Sequence, residues 1–275
     1  MHRTRVISGL IMAAGGIVIL LAGGRIAGCV LLILSLLSYF ELCRACKVLD
    51  RDKPVNAASL FGYLAIIAYY INIMWGNESY VNLVSQVILL VFLLAQLAVY
   101  VFTFPRFNTS QISASVFNVM YAPFMLSFLY FTLRDFGIYI TFSIFIASCF
   151  SDVFAYTVGR KLGRHKLAPK LSPKKSIEGS IGGIVGAALV GLIYGFILYK
   201  AGIYGMEALL IFTLIGGLGS VVSQVGDLAA SAIKRDHDIK DYSKIIPGHG
   251  GIMDRMDSIT VTAPIIYLLA VALIK

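Results

Sequence analysis

Long apolar runs dominate the chain, and short polar segments separate them. A helix needs about 20 apolar residues to cross the hydrocarbon core. Nine runs approach or exceed that length, at roughly 6–24, 26–42, 55–75, 80–104, 112–133, 136–158, 181–199, 206–233 and 258–274. The pattern predicts an all-α polytopic integral membrane protein with about nine transmembrane helices. No internal repeat is visible, so residues 1–275 read as a single membrane domain. Within it, residues 1–135 supply N-terminal helices. Residues 136–275 supply helices joined by two polar loops, 159–180 and 234–257.

Composition supports this architecture. Only 13% of the 275 residues are charged and 59% are hydrophobic, with mean hydropathy +0.86. A soluble domain carries about 25% charged residues. The first run is longer than a signal-peptide core and leads into another span, so it reads as a transmembrane helix. Cys43 and Cys46 form a CxxC, but no second CxxC or nearby His completes a zinc set, and the four cysteines read as small apolar packing residues. The net charge of +9 lies in loops between the apolar runs, which favours a bilayer over nucleic acid as partner. With the N-terminus in the cytoplasm, the external segments hold only Arg25, Arg134, Lys200 and Lys275 of the 23 Lys and Arg. That bias predicts a cytoplasmic N-terminus and puts both polar loops on the cytoplasmic face.

Polar residues concentrate towards the C-terminal end. Six of the 14 acidic residues lie between Asp227 and Asp257. Asp227 falls inside the eighth run, where an acid costs about 2.5–3.5 kcal/mol on insertion scales and marks a functional site by default. Ser220, Ser223, Asp227, Ser231 and Lys234 follow helical steps and share one face. A structural polar seam is the alternative for the serines alone. In the sixth run Ser148, Asp152, Tyr156 and Arg160 recur every fourth residue. Asp152 and Arg160 stand too far apart to pair on one helix, so their partners lie on other helices or on a ligand. The 159–180 loop holds seven cations against one acid, Glu178. Lipid headgroups or topology alone would explain some of that charge. Ser172, Lys174, Lys175 and Ser176 add hydroxyls beside ammonium groups, which suits phosphate oxygens. The last loop ends in Pro247-Gly248-His249-Gly250-Gly251-Ile252-Met253-Asp254-Arg255-Met256-Asp257. Asp254 and Asp257 would share a face at a helix start, or Asp257 would cap the last helix. His249 is a phosphate donor, an acid or a plain loop hydrogen-bonder; the residues alone do not separate these.

Carboxylates facing abundant Lys and Arg suit a metal and phosphate site, because Mg²⁺ is commonly held by one or two carboxylates plus substrate phosphates. Phosphoryl chemistry needs mainly positioning and charge neutralisation. No Walker A loop and no HExxH occurs. The residues therefore predict a metal-dependent enzyme acting on phosphates at the cytoplasmic face.

The run from Ser231 through Ile233-Lys234-Arg235, Lys240-Asp241, Ser243, Ile246-Pro247, His249-Gly250-Gly251-Ile252 and Asp254-Arg255-Met256-Asp257 resembles the signature of the phosphatidate cytidylyltransferase (CDP-diacylglycerol synthase) family. The stretches Ser151-Asp152, Ala155-Tyr156 and Gly159-Arg160, and Leu171-Ser172-Pro173-Lys174-Lys175-Ser176 with Glu178-Gly179, are also similar to it. The likeness is strong from about 145 to 264, and the first five spans match only in being hydrophobic. Many relatives have Glu where this chain has Ala230, and Trp where it has Ile177.

The resemblance implies transfer of CMP from CTP to phosphatidic acid, with pyrophosphate released. It implies a bacterial-type inner-membrane homodimer that needs Mg²⁺, with K⁺ as a candidate second cation. Joined to the residue reading, it assigns Asp227 and Asp254 to the metal, and Arg160, Lys174 and Lys175 to the CTP phosphates. Lys234 and Arg235 fall to the lipid headgroup or the leaving pyrophosphate, and Asp257 to a second cation or to orienting a basic residue. Asp152, Ser172, Ser176, Ser223, Ser231, Lys240 and Arg255 complete the expected binding set, and His249 the catalytic one. Three rivals compete with this reading. A CTP-dependent polyprenol or phytol kinase would release CDP, and the full signature argues against it. A transporter would show two repeated halves. A lipid-binding scaffold would not require two intramembrane acids in register with Ser and Lys.

Overall fold

The computed structural model describes residues 16, 21, 23–50, 54–246, 248 and 250–274. These hold seven helical segments long and apolar enough to cross a membrane. Each predicted span from 26–42 onward falls on helix, while the predicted span 6–24 lies almost wholly outside the described residues. The helices are α1 (Gly24–Ala45), α2 (Ala57–Trp75), α3 (Val81–Phe102), α4 (Thr109–Val119), α5 (Met125–Phe145), α6 (Ser151–Leu162), α7 (Ile177–Lys200), α8 (Ala208–Asp236) and α9 (Met253–Ile274). The π-helical turns Met120–Phe124 and Ile146–Phe150 join α4 to α5 and α5 to α6. The segment Thr109–Leu162 thus covers two predicted spans. Helical geometry breaks within it at Gly137, whose φ of 78° is open to glycine, and this residue lies at the start of the second of those spans. Two features depart from the sequence reading. A short hairpin, β1 (Lys166–Ala168) paired antiparallel with β2 (Ser172–Ser176), interrupts the all-helical pattern inside the basic loop. The last helix begins at Met253, so Asp257 sits within it and does not cap it.

The chain forms two compact units, Met1–Tyr130 with Asp236–Arg255, and Phe131–Arg235 with Met256–Lys275. In the first, tyrosines bond across helices. Tyr39 Oη lies 2.9 Å from Ser115 Oγ, Ser35 Oγ 2.8 Å from Tyr70 Oη, and Tyr69 Oη 3.0 Å from Ser127 Oγ. Gln96 donates to the Ala58 carbonyl at 2.7 Å. Lipid is as apolar as leucine, so such bonds and tight packing hold membrane helices together. Helices α2 and α4 start at capping boxes, Asn56 with Ser59 and Asn108 with Gln111. Only Phe92, Gln96 and Val99 of α3 are buried, and its other apolar side chains suit contact with lipid.

The second unit is packed through small residues. A β-carbon on Gly183 of α7 would stand 2.9 Å from the Ser151 carbonyl oxygen, and one on Gly186 would overlap the Phe154 ring. Backbones also approach at Gly191 against Phe212 and at Gly216 against Ala187, which brings α7 against α8. Gly226 does the same for α8 and α9, where an added β-carbon would lie 2.9 Å from the Asp257 carbonyl oxygen. A polar seam crosses these contacts. Ser220 Oγ donates to Ser151 Oγ at 2.8 Å, Ser180 Oγ donates to Gln224 Oε1 at 2.5 Å, and Gln224 Nε2 donates back to the Ser180 carbonyl at 3.2 Å.

Candidate active site

The second unit contains a cavity of about 550 Å³. Small-molecule sites commonly span about 300–1,000 Å³. Helix α6 supplies Asp152, Tyr156 and Arg160 to its lining, and the hairpin supplies Lys166, Lys174, Lys175 and Ser176. Ser180 and Gln224, partners in the polar seam, complete the polar wall. The α6 stripe predicted from four-residue spacing therefore faces a ligand-sized space. Four cationic residues line it against one carboxylate.

Local bonds explain how the sequence builds the basic wall. The Glu178 carboxylate accepts from the backbone N–H of Arg164 at 3.0 Å and of His165 at 3.2 Å, and meets His165 Nδ1 at 2.6 Å. One acid in the first turn of α7 thereby fastens the entry to the hairpin. Ser176 is buried, and its Oγ accepts from Gly179 N at 3.2 Å as the N-cap of α7. The oxygen of this cavity-lining hydroxyl thus also serves to start a helix.

An acidic cluster belongs to the same unit. The Lys175 ammonium forms an ion pair with Asp227, the acid singled out inside the eighth apolar run. Asp257 is buried, with its Oδ1 accepting from Ser258 N at 2.7 Å. It lies within electrostatic range of the carboxylates of Asp227 and Asp152 and of the Lys234 ammonium. Ser223, on the Asp227 face of α8, is fully buried and its hydroxyl has no hydrogen-bond partner among the described residues.

In the first unit, Asp254 is buried in the signature loop. Its Oδ2 accepts from Tyr242 N at 2.8 Å and from Gly251 N at 3.0 Å. The turn beside it is held by an acid from α1. Glu41 is fully buried, and its carboxylate accepts from Ser243 Oγ at 2.5 Å, Ile252 N at 3.0 Å and Met253 N at 2.8 Å.

Of the expected residues, Asp152, Arg160, Lys174, Lys175 and Ser176 line one cavity. Lys175 connects it to Asp227, and Asp227 is coupled to Asp257 and through it to Lys234. Ser172 begins β2 and Ser231 is half-buried on α8; neither lines the cavity. Arg235 is exposed in the last turn of α8, and Lys240 and Arg255 are exposed in their own unit. His249 lies outside the described residues. Lys166, Ser180, Gln224 and Glu41 were not anticipated. The signal for Glu41 was present, since it is an acid inside an apolar run, as Asp227 is.

Among the described residues, no three His, Cys, Asp or Glu side chains gather as a ready-made metal site. The donor set still fits magnesium, which commonly takes one or two carboxylates and fills its shell with phosphate and water oxygens. Asp227 already holds a cation, the Lys175 ammonium, and has Asp257 as an acidic neighbour.

The sequence model of the cytidylyltransferase family matches residues 3–273. A phosphatidate cytidylyltransferase of Staphylococcus saprophyticus is 30% identical over 270 residues, spanning 98% of this chain and 99% of the relative. One of Staphylococcus haemolyticus is 29% identical over 255 residues, 92% of this chain and 93% of the relative. One of Brucella abortus is 35% identical over 118 residues, 43% of this chain and 42% of the relative.

Proposed function

The chain belongs to the cytidylyltransferase family, and from that premise we propose that it transfers CMP from CTP to phosphatidic acid, giving CDP-diacylglycerol and pyrophosphate. The observation that carries the reading is the cavity itself, where Arg160, Lys166, Lys174 and Lys175 face one space, with Lys175 paired to Asp227 and Asp257 within electrostatic range of that acid. A nucleoside triphosphate needs that combination, with cations for its phosphates and carboxylates for its accompanying metal.

Arg160, Lys174 and Lys175 bind the triphosphate of CTP. A phosphatidate oxygen attacks the α-phosphorus in line and forms the new P–O bond. The bond from the α-phosphorus to the bridging oxygen breaks, and its electron pair leaves with pyrophosphate. The attacking phosphate is already ionised, so no general base is assigned. Lys234 and Arg235 neutralise the lipid phosphate or the departing pyrophosphate. Asp227 would hold magnesium, which when bound supplies charge neutralisation at the phosphates. Asp254 is included among the residues that the reaction requires. The acyl chains stay in the bilayer, as expected for a multi-pass protein of a bacterial inner membrane that works as a homodimer with this site towards the cytoplasm.

The test uses purified full-length protein in detergent micelles with CTP, phosphatidic acid and Mg²⁺. CDP-diacylglycerol and pyrophosphate should appear in equal amounts, and Asp254→Ala and Lys175→Ala should abolish both. CDP without CDP-lipid would replace this reading with that of a CTP-dependent lipid kinase.

A further inference from the structure

We propose that Glu41 is a positioning residue for the reaction, fixing the loop that carries Asp254. The inference rests on the cytidylyltransferase reading, but its geometry stands apart from it. Glu41 lies near the C-terminal end of α1, distant in sequence from the signature. A fully buried carboxylate is costly unless hydrogen bonds compensate it. Here the compensation is three donors, all from the signature loop: Ser243 Oγ, Ile252 N and Met253 N. Among the described residues no cation is paired with it.

The two amides explain why an acid is needed. Met253 is the first residue of α9, and the first N–H groups of a helix have no partner within it. The positive end of the helix also favours an anion at this point. Glu41 thus accepts from the first N–H of the helix and from the one before it. The fit is close, because a β-carbon on Gly251 would stand 2.5 Å from Glu41 Oε2 and would displace the carboxylate. The same turn then presents the Gly251 N–H to Asp254 Oδ2, and Tyr242 N–H arrives at that oxygen from the other end of the loop. Glu41 holds residues 243, 252 and 253, and Asp254 is held by 242 and 251. The two carboxylates therefore grip alternate points of one turn, and releasing the first loosens the second.

Glu41→Gln keeps the shape and removes the charge, turning an amide N–H₂ towards backbone donors. In micelles, amide exchange at Ile252 and Met253 should speed up at least about tenfold, because these groups have no helical partner to fall back on. Exchange at Tyr242 and Gly251 should rise as well. Turnover should fall by about tenfold or more, as expected for a charged hydrogen bond, with the KM for CTP unchanged within about twofold. Unchanged protection at Ile252 and Met253 would overturn the proposal. So would protection lost there alone, with Tyr242, Gly251 and turnover as in the wild type, since Glu41 would then be only a cap. If Glu41→Gln does not fold, Ser243→Ala decides, because it leaves both backbone bonds in place. It should lower turnover about threefold without moving the KM for CTP, and wild-type turnover would refute the positioning role. Wild-type protein that makes no CDP-lipid would instead sink the functional reading, and the exchange measurements would still judge whether Glu41 holds the loop.

Discussion

The Lys175–Asp227 ion pair offers a test that separates fold from chemistry. Lys175→Met keeps most of the side-chain bulk and leaves Asp227 without its cation, with Asp257 close enough to repel it. Breaking a fully buried pair costs about 3–5 kcal/mol, whereas an exposed pair is worth about 0–1 kcal/mol. The two side chains are 24% and 28% exposed, so the pair lies between these limits, at about 2 kcal/mol. At about 2–4 °C per kcal/mol, the Tm of Lys175→Met in micelles should fall by about 4–8 °C. Asp227→Asn also breaks the pair but relieves Asp257 of a like charge, so its Tm should fall less. The double variant has neither charge, and about 1–2 kcal/mol of coupling should return.

Turnover should behave differently. Lys175 is proposed to bind phosphate and Asp227 to hold the metal, so restoring stability does not restore either task. The assay is CDP-diacylglycerol formation by the four proteins of the cycle, measured beside their thermal unfolding. Strictly additive Tm changes would refute the energetic coupling. A double variant with wild-type turnover would refute the roles given to both residues.

Three further outcomes follow from the geometry. Glu178→Gln weakens the acceptor for Arg164 and His165, so the hairpin loosens and the KM for CTP should rise about fivefold, with Tm within about 2 °C of the wild type. Gly186→Val drives a side chain into the Phe154 ring and should cost more than about 2 kcal/mol, read as a drop in Tm and in the yield of monodisperse protein. Lys170→Cys, exposed in the hairpin turn, should react with a membrane-impermeant maleimide only from the cytoplasmic side; labelling of intact cells from outside would reverse the proposed orientation.

The helices were legible because lipid imposes a length and a composition, and the described residues hold seven helical segments that meet both, one of them covering the two spans read at 112–133 and 136–158. Asp152, Tyr156 and Arg160 were legible as one face because helical spacing is local, and the structure turns that face to the cavity. Contacts between distant segments were not legible. Nothing in the residues around Lys175 says that Asp227 is its partner, because that depends on how β2 and α8 meet. The hairpin was hidden by its own chemistry. Its strands are short and rich in lysine and proline, and they are held by Glu178 and the Ser176 cap more than by any strand-like alternation. Ser176 carries a second task that its neighbours did not announce, since its oxygen accepts from Gly179 N and starts α7 while the residue also lines the cavity.

The glycines of the second unit connect its packing to its chemistry. Side chains at 183 and 226 would force backbones apart, at α6 against α7 and at α8 against α9. The polar seam depends on that approach, because Ser151, Ser180, Ser220 and Gln224 have short reach and meet only across touching helices. Ser180 and Gln224 are also part of the cavity wall. Packing, seam and wall are therefore one structure, and on the proposed reading the seam residues stand in the wall before a ligand arrives. Preorganised charge is what phosphoryl chemistry most needs, since little else is asked of the protein. The small residues that let these helices approach are thus the same ones that bring the seam residues Ser180 and Gln224 to the cavity wall.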